Sequence, residues 1–235
     1  MFFDTDSGDV YLGGSTGGIG TNGSGILLFD ASVNGRIAFN GDSGDYEVIN
    51  AQWESHPVTG VSWIGALKFC NWLTLDAGYG ADRRAYVESN LEMGWRPVTI
   101  TYANWLTRDL NSSEREALTE IPGFRLPMDA GVTTANAYSE WYKVSAWDNA
   151  AGQNRQYGFG RDTITGADAN YFGSGDPCEQ GSASLLATAP VGYYDGSDHE
   201  GVFSTNPNEN GYGVCDLSGN AWEWMQDRGS TSTVR

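Results

Sequence analysis

Apolar residues recur at helical spacing in two places along this chain. From Ser62 to about Asp76, Ile64, Leu67, Cys70 (or Asn71) and Leu73–Thr74 fall on one face. Ser62 is a suitable N-cap, and Gly78 and Gly80 end the helix. From about Asn136 to Trp147, Tyr138, Trp141, Tyr142 and Ser145 share a second face. Ser113-Glu114-Arg115-Glu116 fits a capping box with Ser113 at N-cap and Glu116 at N3, and Pro122-Gly123 stops that short helix. Elsewhere the pattern is that of short strands. Ile26-Leu27-Leu28-Phe29 and Arg36-Ile37-Ala38-Phe39 flank Val33-Asn34-Gly35, whose Asn-Gly supplies the positive φ angles of a type I′ turn, so a hairpin is expected. Asp45-Tyr46-Glu47-Val48-Ile49 reads as a further strand and Trp95–Ile100 as an extended segment. Residues 148–212 show little periodicity and are rich in Gly, Asp, Asn and Ser. A loop region this long usually binds something or is held by an ion.

The chain has 235 residues, enough for one sizeable core. Nine tryptophans, twelve tyrosines and nine phenylalanines supply the apolar area, and thirty-two glycines supply the turns. The expected organisation is a single α+β domain over 1–235, with a β-rich part at 1–55 and a core at 57–227. The net charge of −17 argues against nucleic-acid and anionic-membrane partners, which would repel such a surface. No apolar run reaches the roughly 18 residues of a membrane span. The start, Met1-Phe2-Phe3-Asp4, lacks the basic and apolar regions of a signal peptide, and the end follows soon after what reads as a core motif, so truncation at both ends is expected. Three cysteines form no zinc pattern. Cys70 sits on the apolar helix face, whereas Cys178 and Cys215 are candidates for a disulfide.

The chemistry concentrates at residues 211–224, Gly-Tyr-Gly-Val-Cys-Asp-Leu-Ser-Gly-Asn-Ala-Trp-Glu-Trp. Asp216 and Glu223 are hard oxygen donors, and Gly219 and Ala221 leave backbone carbonyls unobstructed, the mixture a calcium ion takes on a bent loop. Trp222 and Trp224 flank Glu223 and would pin it with large rings. The same stretch equally reads as a tight turn leading into a core strand. Asp4, Asp6 and Asp9 hint at another calcium loop but lack its terminal glutamate, which favours a solvated turn.

Residues 219–224 also resemble the Gly-Asn-Val-Trp-Glu-Trp signature of the formylglycine-generating enzyme family, the sulfatase-modifying factors. Three further stretches match in the family's order. Pro57-Val58-Thr59-Gly60-Val61-Ser62-Trp63, with Ala66, Phe69-Cys70 and Trp72-Leu73, resembles its "PV-x-x-VSW" helix. Phe124-Arg125-Leu126-Pro127 with Glu140-Trp141-Tyr142-Lys143 resembles "RLPTEAEWEYA", though Gly131 to Asn136 are interposed. Thr188-Ala189-Pro190-Val191-Gly192 resembles "TTPVG". Residues 79–123 are longer than the family's corresponding region.

The resemblance implies a variant of the C-type-lectin fold with short strands, two main helices and long loops stabilised by ions. It implies a calcium site at Asp216, Gly219, Ala221 and Glu223, with Asn220 shaping the turn. A second family site maps onto Asn170 and Tyr171; its downstream acid is replaced by Ala183-Ser184-Leu185-Leu186, leaving Asp176 or Glu179 as substitutes. The family oxidises a cysteine of a sulfatase polypeptide to formylglycine with oxygen and copper. The copper-binding cysteine pair follows an "RGGSW" segment that nothing here matches, so copper and catalysis are implied only if sequence after Arg235 supplies it; thiolates suit Cu(I). A bacterial, exported, periplasmic or extracellular protein is implied. The rival is a non-catalytic lectin-like module for surface binding or adhesion. A third reading, the histidine-bound iron of related sulfoxide synthases, is disfavoured because His56 and His199 are the only histidines. Asp195, Asp198 and Glu200 lack a spacing that supports acid–base work.

Overall fold

The longest helix, α1 (Trp63–Asp76), begins where its cap requires. The Ser62 side chain accepts from the Gly65 amide at 3.0 Å while its hydroxyl donates to the Leu27 carbonyl at 2.6 Å. The structure is a computed structural model and describes residues 2–3, 10–12, 25–30, 36–40, 42–128, 140–148, 150–178 and 188–227. Among these, α1 is joined by α2 (Tyr102–Trp105), α3 (Ser112–Thr119) and α4 (Glu140–Ala146). The strands are short and antiparallel. β1 (Phe2–Phe3), β2 (Val10–Leu12) and β3 (Ile26–Phe29) form one sheet. Pairs are made by β4 (Ile37–Asn40) with β5 (Asp45–Val48), β6 (Tyr86–Val87) with β7 (Arg96–Pro97), β8 (Trp147–Asp148) with β9 (Gln153–Asn154), and β10 (Asp198–His199) with β11 (Phe203–Ser204). This mixture is α+β, as the sequence pattern implied.

The buried face of α1, Ile64, Leu67, Cys70, Asn71 and Thr74, is the one its periodicity marks. It packs on Ile26 and Leu28 of β3 and on Tyr86, Trp95, Trp105 and Leu118 from the 79–123 region. The approach to β3 is so close that a Cβ on Gly65 would lie 2.1 Å from the Leu28 carbonyl oxygen. Asn71 extends α1 toward β6 by imitating a strand: its Nδ2 donates to Tyr86 O at 3.0 Å and its Oδ1 accepts from Tyr86 N at 3.2 Å. Thr74 accepts from the Phe124 amide at 2.9 Å and so brings Arg125-Leu126-Pro127 alongside the core.

Three sequence expectations are corrected. The Ile26–Phe29 and Arg36–Phe39 segments do not pair with each other. β3 pairs with β2, and β4 turns through Gly44, at φ 75°, onto β5. Short apolar runs name no partner, and a second turn at 42–44 captured the hairpin. The capping box sits two residues earlier than expected: Asn111 caps α3 and Glu114 reaches back to the Asn111 amide at 2.9 Å. Glu114 is fixed there by a two-pronged pair with Arg108. In the second helix, Trp147 leaves α4 and opens β8. Tyr138, Asn34 and the aspartates 4, 6 and 9 lie outside the described residues.

Candidate functional site

The four motif stretches meet around residues 216–227. Two indole N–H groups fasten this segment to the start of α1: Trp224 Nε1 donates to Val61 O at 2.8 Å, and Trp63 Nε1 donates to Met225 O at 2.9 Å. The Gln226 amide donates to Pro127 O at 2.9 Å, and Asp227 pairs with Arg115 of α3. Arg125 in turn holds Glu140 in a bidentate pair (2.5 and 2.7 Å), while the Met128 amide donates to the same carboxylate at 2.9 Å. Burial pushes Glu140 up, but these donors outweigh it and hold its carboxyl below the ordinary value. That pair sets α4 in place, and α4 delivers Trp141, whose Nε1 donates to Glu223 Oε2 at 2.5 Å.

Trp222 does not share the pinning role expected of it. It is 78 % exposed, whereas Trp224 is tucked against Val61. Alternate residues share a face only in a regular strand, and this segment is irregular. The ring that does hold Glu223 is Trp141, which sequence reasoning assigned only to a core face. The adjoining Glu140-Trp141 motif was the available signal.

The loop itself turns on three left-handed residues, Asp216 (φ 62°), Gly219 (φ 93°) and Asn220 (φ 62°). Gly219 is required by contact as well as by conformation, since a Cβ there would lie 2.3 Å from Asn170 O. Asn220 shapes the turn: its amide donates to Asn170 O at 2.8 Å, its Oδ1 accepts from Ala189 N at 2.8 Å and its Nδ2 donates to Ala189 O at 3.2 Å. Asp216 accepts from Gly192 N and from Asn208 Nδ2, both at 2.9 Å. Thus Asn170 and the Thr188–Gly192 stretch both lie against the loop that carries Asp216 and Glu223. The Tyr171 carbonyl accepts from Ser174 N at 2.9 Å within a turn. Of the two substitute acids, Asp176 is buried and accepts from Ser174 Oγ and Cys178 N; Glu179 lies outside the described residues.

Asp216 and Glu223 stand close enough to repel. Burial pushes the Glu223 carboxyl up, the Trp141 bond draws it back, and the charge of Asp216 pushes it up again, leaving it above the ordinary carboxylate value. Two carboxylates and the backbone carbonyls of Gly219 and Ala221 are oxygen donors of the type a hard divalent cation takes. Each oxygen already engaged keeps a second lone pair. Among the described residues no three His, Cys, Asp or Glu side chains converge, so a cation on this loop would depend on backbone carbonyls as well.

The other candidates have structural partners. Asp195 Oδ1 accepts from the Ser197 amide and hydroxyl, Asp198 accepts from Gly201 N, and Glu200 (φ 55°) occupies the β10–β11 turn. His199 stacks on Tyr193 and its Nε2 lies 2.8 Å from Tyr193 O, while His56 Nδ1 lies 3.0 Å from Thr188 Oγ1. All three cysteines are free thiols, so Cys178 and Cys215 are not bridged. Burial pushes the thiols of Cys70 and Cys178 up to about 11 and raises that of Cys215 as well. Thiols biased against ionisation, in three different surroundings, do not fit a Cu(I) site.

The chain belongs to the sulfatase-modifying factor family: the model of the sulfatase-modifying factor enzyme 1-like domain matches residues 36–234. No curated protein and no solved structure matches it. No helix among the described residues is long and apolar enough to cross a membrane.

A carboxyl raised in the folded state adds stability below its unfolded value of about 4.3 and loses that contribution as pH rises through the folded value. Urea unfolding in chelator from about pH 4 to about pH 8 therefore shows Glu223→Gln gaining stability on the wild type as pH rises. A constant difference between the two contradicts a carboxyl raised at Glu223 by burial and by the Asp216 charge.

Proposed function

We propose that this domain belongs to a formylglycine-generating enzyme that oxidises a cysteine side chain of a sulfatase-type polypeptide, replacing its CH2–SH by an aldehyde. The observation that supports the reading is the family match across most of the chain, with all four motif stretches meeting at one loop. Copper and oxygen enter this reading only with a cysteine pair that the three thiols described above do not provide. The part played by this chain's own residues is to build a rigid platform: Trp63, Trp224, Arg125 and Glu140 hold the loop, and Asp216 and Glu223 present their oxygens to it.

In this reading a calcium ion on Asp216, Gly219, Ala221 and Glu223 relieves the carboxylate repulsion, with Asn170 and Tyr171 as the donors of a second site. The arrangement is then a variant of the C-type-lectin fold. The acidic surface suits an exported protein working where calcium is abundant, because extracellular calcium modules bind weakly.

Thermal unfolding with calcium or chelator tests the ion. At about 100 times its dissociation constant calcium adds roughly 2.7 kcal/mol, and Glu223→Ala abolishes the gain; an equal gain in that variant removes Glu223 from the ligand set. The activity is tested on the chain expressed with any coding sequence that follows it, supplied with Cu(I), oxygen and a cysteine-containing sulfatase peptide. Mass spectrometry finds the aldehyde product. Peptide recovered with its thiol intact, under conditions where the protein is folded, contradicts the assignment.

A further inference from the structure

The segment that clasps the loop is itself held by a short hydrogen-bond chain. Thr188, buried, accepts at its Oγ1 from the guanidinium of Arg36, and the same oxygen lies 3.0 Å from His56 Nδ1. Arg36 is also buried and stacks 4.1 Å from the Trp53 ring centroid; His56 meets the same indole edge-on at 4.8 Å. A guanidinium only donates. The Thr188 hydroxyl keeps its own hydrogen to give, and in the neutral imidazole with its proton on Nε2 the His56 Nδ1 is placed to accept it.

From Thr188 the chain runs directly to the loop. Ala189 exchanges two hydrogen bonds with the Asn220 side chain, Val191 N donates to Ser55 O at 2.8 Å beside His56, and Gly192 N donates to Asp216. Protonation of His56 turns Nδ1 into a donor. Thr188 Oγ1 then faces two donors, its own hydrogen loses its acceptor, and two cations stand on either side of one oxygen.

We infer that His56 is a positioning residue whose protonation loosens residues 188–192 from the 216–227 loop, making the clasp on Asp216 and Asn220 sensitive to acid. Burial first and the Arg36 charge second lower His56 from its ordinary value, with a hydrogen bond to the Thr188 backbone opposing. Among the described residues Arg36 is the charged group acting on His56; Trp53 and Thr188 present an uncharged ring and hydroxyl. The folded state thus disfavours the proton. The stability this arrangement contributes is present above the unfolded value of about 6.5 and is lost as pH falls through the folded value.

Nuclear magnetic resonance on the wild-type protein in chelator tests the clasp independently of calcium. The two histidine rings and the Ala189 and Gly192 amides are followed from about pH 8 to about pH 5. The two amides shift with the midpoint of His56, and their solvent exchange, corrected for intrinsic pH dependence, accelerates about tenfold. In His56→Gln, whose amide oxygen accepts from Thr188 without titrating, both amides stay protected over the same range. Amides that remain still through the His56 transition, or that respond equally in the variant, overturn the inference. Should the variant fail to fold, coincidence or non-coincidence of midpoints in the wild type decides.

Discussion

Two indole N–H···O=C hydrogen bonds, Trp224 to Val61 and Trp63 to Met225, tie the C-terminal loop to the first turn of α1. They run in opposite directions between the same two segments, so neither segment can slide without breaking one of them. A partly buried indole N–H left without an acceptor costs about 1–3 kcal/mol. The large rings contribute packing area, and the polar tips set the register. Because Ser62 caps α1 and bonds β3 in the same place, the helix, the sheet and the loop share one junction.

What the junction positions is a pair of acids. Glu223 is brought to Asp216 by an irregular chain path that needs Gly219 against Asn170 and left-handed turns at Asp216 and Asn220. Such a path is not self-supporting. It is held by side chains that bond backbone, as Asn220 does on Ala189 and Asn208 Oδ1 does by accepting from the Asp216 amide, rather than by long ladders. The carboxylate repulsion works against this support, and a cation would work with it.

Much of this was legible in the residues. The α1 span and its Ser62 cap followed from spacing and a hydroxyl, both local properties. The turn of the loop was legible because Gly219 and Asn220 are residue types that accept a left-handed backbone. Pairing of β3 and β4 was not, since four-residue apolar runs carry no address, and their partners were set by distant packing. The role of Trp141 was hidden for a similar reason: its partner Glu223 lies 82 positions away, and nothing in a helical face announces which ring has a polar errand. Trp222 misled because alternation around Glu223 suggested two equivalent rings, while the backbone twists one outward.

The central claim, that indole donors lock the loop to the helix, is tested most directly by hydrogen exchange of the indole protons themselves. The account predicts slow exchange at Trp63 and Trp224, and exchange at the rate of free indole for Trp222, whose ring faces solvent. Equal, fast exchange at all three would contradict it.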